Sequence, residues 1–247
     1  MSIISDRIQS VDSTKILVMP SRNGKRQLTV YSNTVTTPDT NVMCIPVPNP
    51  YSMRFEYVPA DIFSQCANSF TKKGSCMDYI STFCNSSYKT VIVRSANDLH
   101  NQNGFIITHD VVEFLKSNYP NYGFILCKLK KGKHTYNPLA YSHDICDRLF
   151  IPTKHYHITI EQELSCDYIQ LNEKKASIAD KWDHLIYSIG TPIWCHESMK
   201  IRHDNKINWS KMHDFSLHTS VILNCYERNG YYPNVDITMP YNLSLII

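Results

Sequence analysis

The chain has 247 residues, 43 % hydrophobic and 19 % charged, too apolar and too sparsely charged for a disordered polymer. No run approaches the roughly 20 apolar residues of a membrane-spanning helix, and 7 glycines with 12 prolines exclude collagen-like and linker-like chains. A formal charge of +3, from 25 Lys+Arg against 22 Asp+Glu, leaves no strong electrostatic signature for nucleic acid.

Apolar runs of strand length open the chain: Lys15 to Met19, Leu28 to Val35, Val42 to Val47 and Met53 to Val58. Between the last two, Pro46-Val-Pro-Asn-Pro50 lacks N–H groups that a sheet ladder needs, which predicts a surface connection or a sheet edge. From Ala60 to Phe70, the apolar residues Ile62, Phe63, Cys66, Ala67 and Phe70 repeat with helical spacing, and a second helix is expected from Ser75 to Phe83. Tyr88 to Arg94 returns to strand character. Thr108 is placed to cap a short helix through Val111, Val112, Phe114 and Leu115 that stops before Pro120.

Phe124 to Leu129 suits a central strand. Lys128, Lys130, Lys131 and Lys133 around Gly132 then read as a solvated hairpin tip. Further strands are expected at Leu149 to Ile160, Trp182 to Ile189, Phe215 to Tyr226 and Leu243 to Ile247, while Tyr231 and Tyr232 beside Gly230 suggest a turn. Strands outnumber helices and no βαβ alternation appears. The expectation is an α+β fold, a largely antiparallel mixed sheet with a few short helices packed on it. It is read as one domain over residues 1–247, and any subdivision would fall near residues 133–138.

The 9 cysteines are odd in number, form no C-x-x-C, and include Cys44, Cys127 and Cys225 inside apolar runs, where a thiol acts as a small hydrophobe. The residues following Met1 lack the pattern of a secretory signal, so a reducing compartment, the cytoplasm or the nucleus, is expected. Abundant Asn, Ile, Lys and Tyr fit coding in an AT-rich genome. For a viral chain the expected places are the host cytoplasm or the virion.

The stretch richest in chemistry is Leu149-Phe-Ile-Pro-Thr-Lys-His-Tyr-His-Ile-Thr-Ile-Glu161. Extended backbone puts Tyr156, Ile158 and Ile160 on one face, towards a core. It puts Thr153, His155, His157, Thr159 and Glu161 on the other, away from the interior, with successive imidazoles held about 7 Å apart. That spacing lets two rings share a metal ion or flank a substrate group. His143-Asp144 precedes this stretch closely enough for a hairpin neighbour, and Asp183-His184 opens the next apolar run. Together, His155, His157, His184 and Asp183 (or Asp144) would supply the ligands of a single divalent metal in a hydrolytic centre. The plainer alternative for the same histidines is the solvated outer face of an antiparallel sheet.

A second pattern uses the same segment. His157-Ile-Thr159 and His218-Thr-Ser220 both read H-x-[T/S] within strand-like runs, as does His196-Glu-Ser198 outside one. The first two resemble the paired motif of the two-histidine phosphoesterases, which cleave 2′,3′-cyclic or 2′-5′ phosphodiesters without a metal. The resemblance implies that His157 and His218 serve as base and acid while Thr159 and Ser220 bind the phosphate oxygens. The other reading is a non-catalytic interaction or assembly protein with a protein partner. It draws on the absence of any specific catalytic motif and on the wealth of Tyr and Asn.

Overall fold

The computed structural model describes residues 3–70, 86–145, 147–157, 179–189, 199–202, 215 and 223–240. Its first half runs β1 (Ile3–Ile4), β2 (Ser10–Pro20), β3 (Arg26–Thr37), β4 (Asn41–Val47), β5 (Arg54–Phe55), α1 (Ile62–Phe70) and β6 (Lys89–Val93). A 3-10 helix (Ala96–Asn101), α2 (His109–Asn118), β7 (Gly123–Leu129), β8 (Gly132–Thr135), β9 (Leu139–Asp144) and β10 (Arg148–Ile151) follow. Beyond them lie β11 (Ala179–Ile189), β12 (Met199–Arg202), β13 (Leu223–Pro233) and β14 (Ile237–Pro240). The fold is α+β, and its sheets are mostly antiparallel.

Three sheets form. A four-stranded sheet has the order β1-β4-β7-β6, and β10 pairs with β14 in a two-stranded ribbon. The eight-stranded sheet runs β12-β13-β11-β2-β3-β9-β5, with β8 also pairing β3. Among the described strands, β11 with β2 is the one parallel ladder.

Alternation along the strands sorts side chains into layers. Ile16, Val18, Tyr31, Val35 and Ile186 of the large sheet face Met43, Ile45, Ile125 and Cys127 of the four-stranded sheet. Leu149, Ile151, Ile237 and Met239 join this interlayer core, so the ribbon lies in the layer of the four-stranded sheet. On the far side of that layer, Val42, Cys44, Phe124 and Leu126 meet Val111, Val112 and Leu115 of α2. On the far side of the large sheet, Leu17, Met19, Leu28, Val30, Leu185 and Tyr187 meet Ile62, Phe63 and Cys66 of α1. The order of layers is therefore helix, sheet, sheet, helix.

Most predicted elements form where the apolar periodicity placed them, and the exceptions are instructive. Met53 to Val58 yields only the two-residue β5, and the Leu149 to Ile160 run stops as a strand at Ile151. Pro46 does enter β4, at a position where the ladder with β1, limited to Met43 and Cys44, has already ended. Thr108 sits at the N-cap of α2 but spends its hydroxyl on the Ser5 carbonyl oxygen (2.7 Å) rather than on the helix. The lysine-rich segment is no hairpin tip: β7 belongs to the four-stranded sheet and β8 pairs β3, so the chain crosses between layers there. Gly230 lies in the β11–β13 ladder opposite Trp182, not in a turn.

Phe215 lies in a 3-10 turn, and the predicted Phe215 to Tyr226 strand is described as a strand only from Leu223. The expected helix from Ser75 to Phe83 and the strand from Leu243 to Ile247 fall outside the described residues. Cys44, Cys66, Cys127 and Cys225 are buried free thiols. Burial pushes Cys44 up to about 12, so it packs as a hydrophobe. Among the described residues, no helix is long and apolar enough to cross a membrane.

Candidate functional site

Beyond Ile151, residues 152–157 join no ladder, and Tyr156 forms an isolated bridge with Ile3 of β1. The predicted alternation of faces holds over these residues. Lys154 and Tyr156 turn to α2, where Tyr156 stacks on Phe114 at 4.0 Å between ring centres and the Lys154 ammonium lies 5.5 Å from the same ring. The other face does not look outwards, as the sequence suggested. Thr153 is 0 % and His155 4 % exposed, and only His157 is half-buried. The surface for this polar face is the inside of the sandwich.

His184 reaches the same place from the opposite layer. It stands on β11 with the parity of Ile186, which faces the interlayer core, and it is 1 % exposed. Its partner across the parallel ladder is Thr14, within a bulge in β2 where Ser13 takes φ 52°. The His155 ring centre lies 5.5 Å from that of His184 and 5.4 Å from that of His157, at interplanar angles of 65° and 47°. Three imidazoles from two layers thus come together, with His155 between His157 and His184.

Electrostatics favours the neutral ring. Burial, first of all, pushes the His155 imidazole well below its ordinary value, and the nearby His157 and His184 push the same way. A neutral imidazole keeps a lone pair for a metal or a proton. Around a tetrahedral ion with metal–nitrogen bonds of about 2.0–2.1 Å, ring centres lie about 5 Å apart, close to the spacings found. Among the described residues, no group of three or more His, Cys, Asp or Glu is arranged to hold an ion.

The other candidates fare differently. Asp144 is not a neighbour of the cluster: it pairs with Arg26 at 2.8 Å, and β9 lies against β3 rather than beside the His155 segment. His143, buried on β9, stacks on Tyr141 at 6.4 Å, and its Nδ1 contacts the Asp144 carbonyl oxygen. Asp183 precedes His184 in β11, but its side chain lies outside the described residues, as do Thr159, His218 and Ser220. The two-histidine pairing of His157 with His218 therefore has one partner in view.

Sequence reasoning missed Asn234 and Asp236. The Asn234 amide oxygen accepts from the His155 N–H (2.5 Å), and its NH₂ donates to the His155 carbonyl oxygen (2.8 Å). One Asp236 oxygen accepts from the N–H groups of Thr153 (2.7 Å) and Lys154 (2.8 Å), and the other accepts from the Tyr119 hydroxyl (2.5 Å). Burial raises the Asp236 carboxyl above its usual range, while these bonds pull the other way. The available signal was Asn-Val-Asp between apolar runs, since short polar side chains there often bond backbone. No protein-family model, curated protein or solved structure matches this chain.

Proposed function

We propose that His155, His157 and His184 form the centre of a metal-assisted hydrolase acting on a phosphodiester or another small polar ester. The observation that carries the reading is the convergence of three rings, two from the 152–157 segment and one from β11, at 5.4 and 5.5 Å. Two of them are buried, and the third, His157, gives the cluster a half-exposed side by which water and substrate can enter. Three imidazoles suit a borderline ion of the zinc class, which supplies a bound water acidic near neutral pH when a fourth position is open. The 152–157 segment and β11 hold the rings.

The test uses the full chain, stripped with a chelator and titrated with Co²⁺ or Zn²⁺, then assayed on chromogenic phosphodiesters and carboxylic esters. One ion per chain is expected, with the visible bands of tetrahedral cobalt, together with metal-dependent turnover. Both should be lost in His155→Ala, His157→Ala and His184→Ala. Absence of stoichiometric binding overturns the reading. Metal-free cleavage of a cyclic phosphodiester that needs His157 and His218 would replace it with the two-histidine chemistry.

A further inference from the structure

We infer that Asn234 and Asp236 are positioning residues, a side-chain clasp that sets where His155 stands relative to His184. Its consequence for metal affinity rests on the proposed function; the clasp itself does not.

The 152–157 segment has buried backbone and no ladder to satisfy it, and buried N–H and C=O groups must find partners. Three successive N–H groups, of Thr153, Lys154 and His155, and the His155 carbonyl oxygen are all met by the side chains of Asn234 and Asp236. The Thr153 hydroxyl adds a bond to the Val235 carbonyl oxygen at 2.9 Å. The Asn234 amide thus replaces a neighbouring strand. It fixes the backbone of His155, whose ring centre lies 5.5 Å from that of His184.

The placement of the clasp matters as much as its bonds. Residues 234–236 form the link between β13, which ends at Pro233, and β14, which begins at Ile237. β13 is also the antiparallel neighbour of β11, with Arg228 opposite His184. One continuous stretch, 223–236, therefore fixes the His184 strand by its ladder and the His155 backbone by its clasp. The separation of the two rings is set within that stretch. Tyr119, at the end of α2, braces the far oxygen of Asp236.

The experiment combines hydrogen–deuterium exchange of the metal-free full chain with Co²⁺ titration of Asn234→Ala, Asn234→Asp, Asp236→Ala and Asp236→Asn. Asn234→Ala should speed exchange over 152–157 about tenfold or more while β7 keeps its protection, the mark of a local opening. It should also weaken Co²⁺ binding about 10–100-fold, the usual cost of losing a group that orients a ligand. Asp236→Ala should do the same, and Asp236→Asn, which retains an acceptor oxygen for Thr153 and Lys154, should restore most of both. If Asn234→Ala does not fold, Asn234→Asp, which keeps the acceptor for the His155 N–H but sets a carboxylate oxygen against the His155 carbonyl oxygen, should show the same changes. Unchanged exchange over 152–157 in folded variants overturns the clasp. Faster exchange with unaltered Co²⁺ affinity overturns its positioning role. If the wild type takes up no Co²⁺, the hydrolase reading falls, and the clasp stands or falls on exchange and on the His155 ring shifts by NMR.

Discussion

The side-chain amide of Gln27 is paired at both ends with the backbone of Phe150: its NH₂ donates to the Phe150 carbonyl oxygen at 2.6 Å, and its oxygen accepts from the Phe150 N–H at 2.7 Å. Gln27 is fully buried on β3, so this pair ties the large sheet to β10, from which the His155 segment departs. Gln27→Leu would orphan both Phe150 groups in a dry interior, at about 1–3 kcal/mol for each unsatisfied group. A loss of about 2–4 kcal/mol in urea unfolding is expected. An unchanged midpoint would mean that water or another side chain takes over.

His157 and His184 should separate in their effect on stability. His184 is sealed in the interlayer core, so His184→Ala in metal-free protein should cost about 1–3 kcal/mol through lost packing. His157 is half-buried, and His157→Ala should cost less than about 1 kcal/mol. Thermal melts of the two stripped variants check the order, while both are expected to abolish cobalt binding. Equal destabilisation would contradict the burial difference.

Gly123 opens β7 against the Pro50 turn. A Cβ there would lie 2.3 Å from the Pro50 Cβ and 2.7 Å from the Val93 carbonyl oxygen, so Gly123→Ala must push the strand or the turn aside. The expected cost is about 1–3 kcal/mol, as for other overpacked sites. Chemical denaturation reads it, and a variant as stable as wild type would show that the turn yields freely.

His143 should make the fold acid-sensitive. Burial lowers its imidazole below the ordinary value, with Arg26 adding to the effect and the Asp144 contacts opposing it. The native state thus refuses a proton that the unfolded chain accepts near pH 6.5. The contribution is whole above about pH 6.5 and drains away as pH falls towards the lowered native value. His143→Asn should flatten this part of the stability–pH curve. A variant with the wild-type slope between pH 7 and pH 5 would remove His143 as its source.

Much of the fold was legible in the chain. Apolar runs of strand length in Lys15 to Met19, Leu28 to Val35 and Phe124 to Leu129 marked strands, and the stripe from Ile62 to Phe70 marked α1, because such patterns are local properties. The parity of residues 153–157 was legible for the same reason, with Tyr156 on one side and both histidines on the other. Tyr156 packs into a core, as its face predicted, but the burial of the histidine face was not legible, because it depends on a second layer lying over it.

What the sequence determined by itself is therefore the set of elements, the α+β class and the pairing of His155 with His157 on one face, since backbone geometry alone relates residues a few positions apart. Tertiary structure decided the rest. It buried that face, brought His184 across the sandwich, withdrew Asp144 to Arg26 and set Asn234 and Asp236 behind His155. These are contacts between residues tens of positions apart. They depend on how sheets pack and in which order strands pair, and no local pattern encodes either.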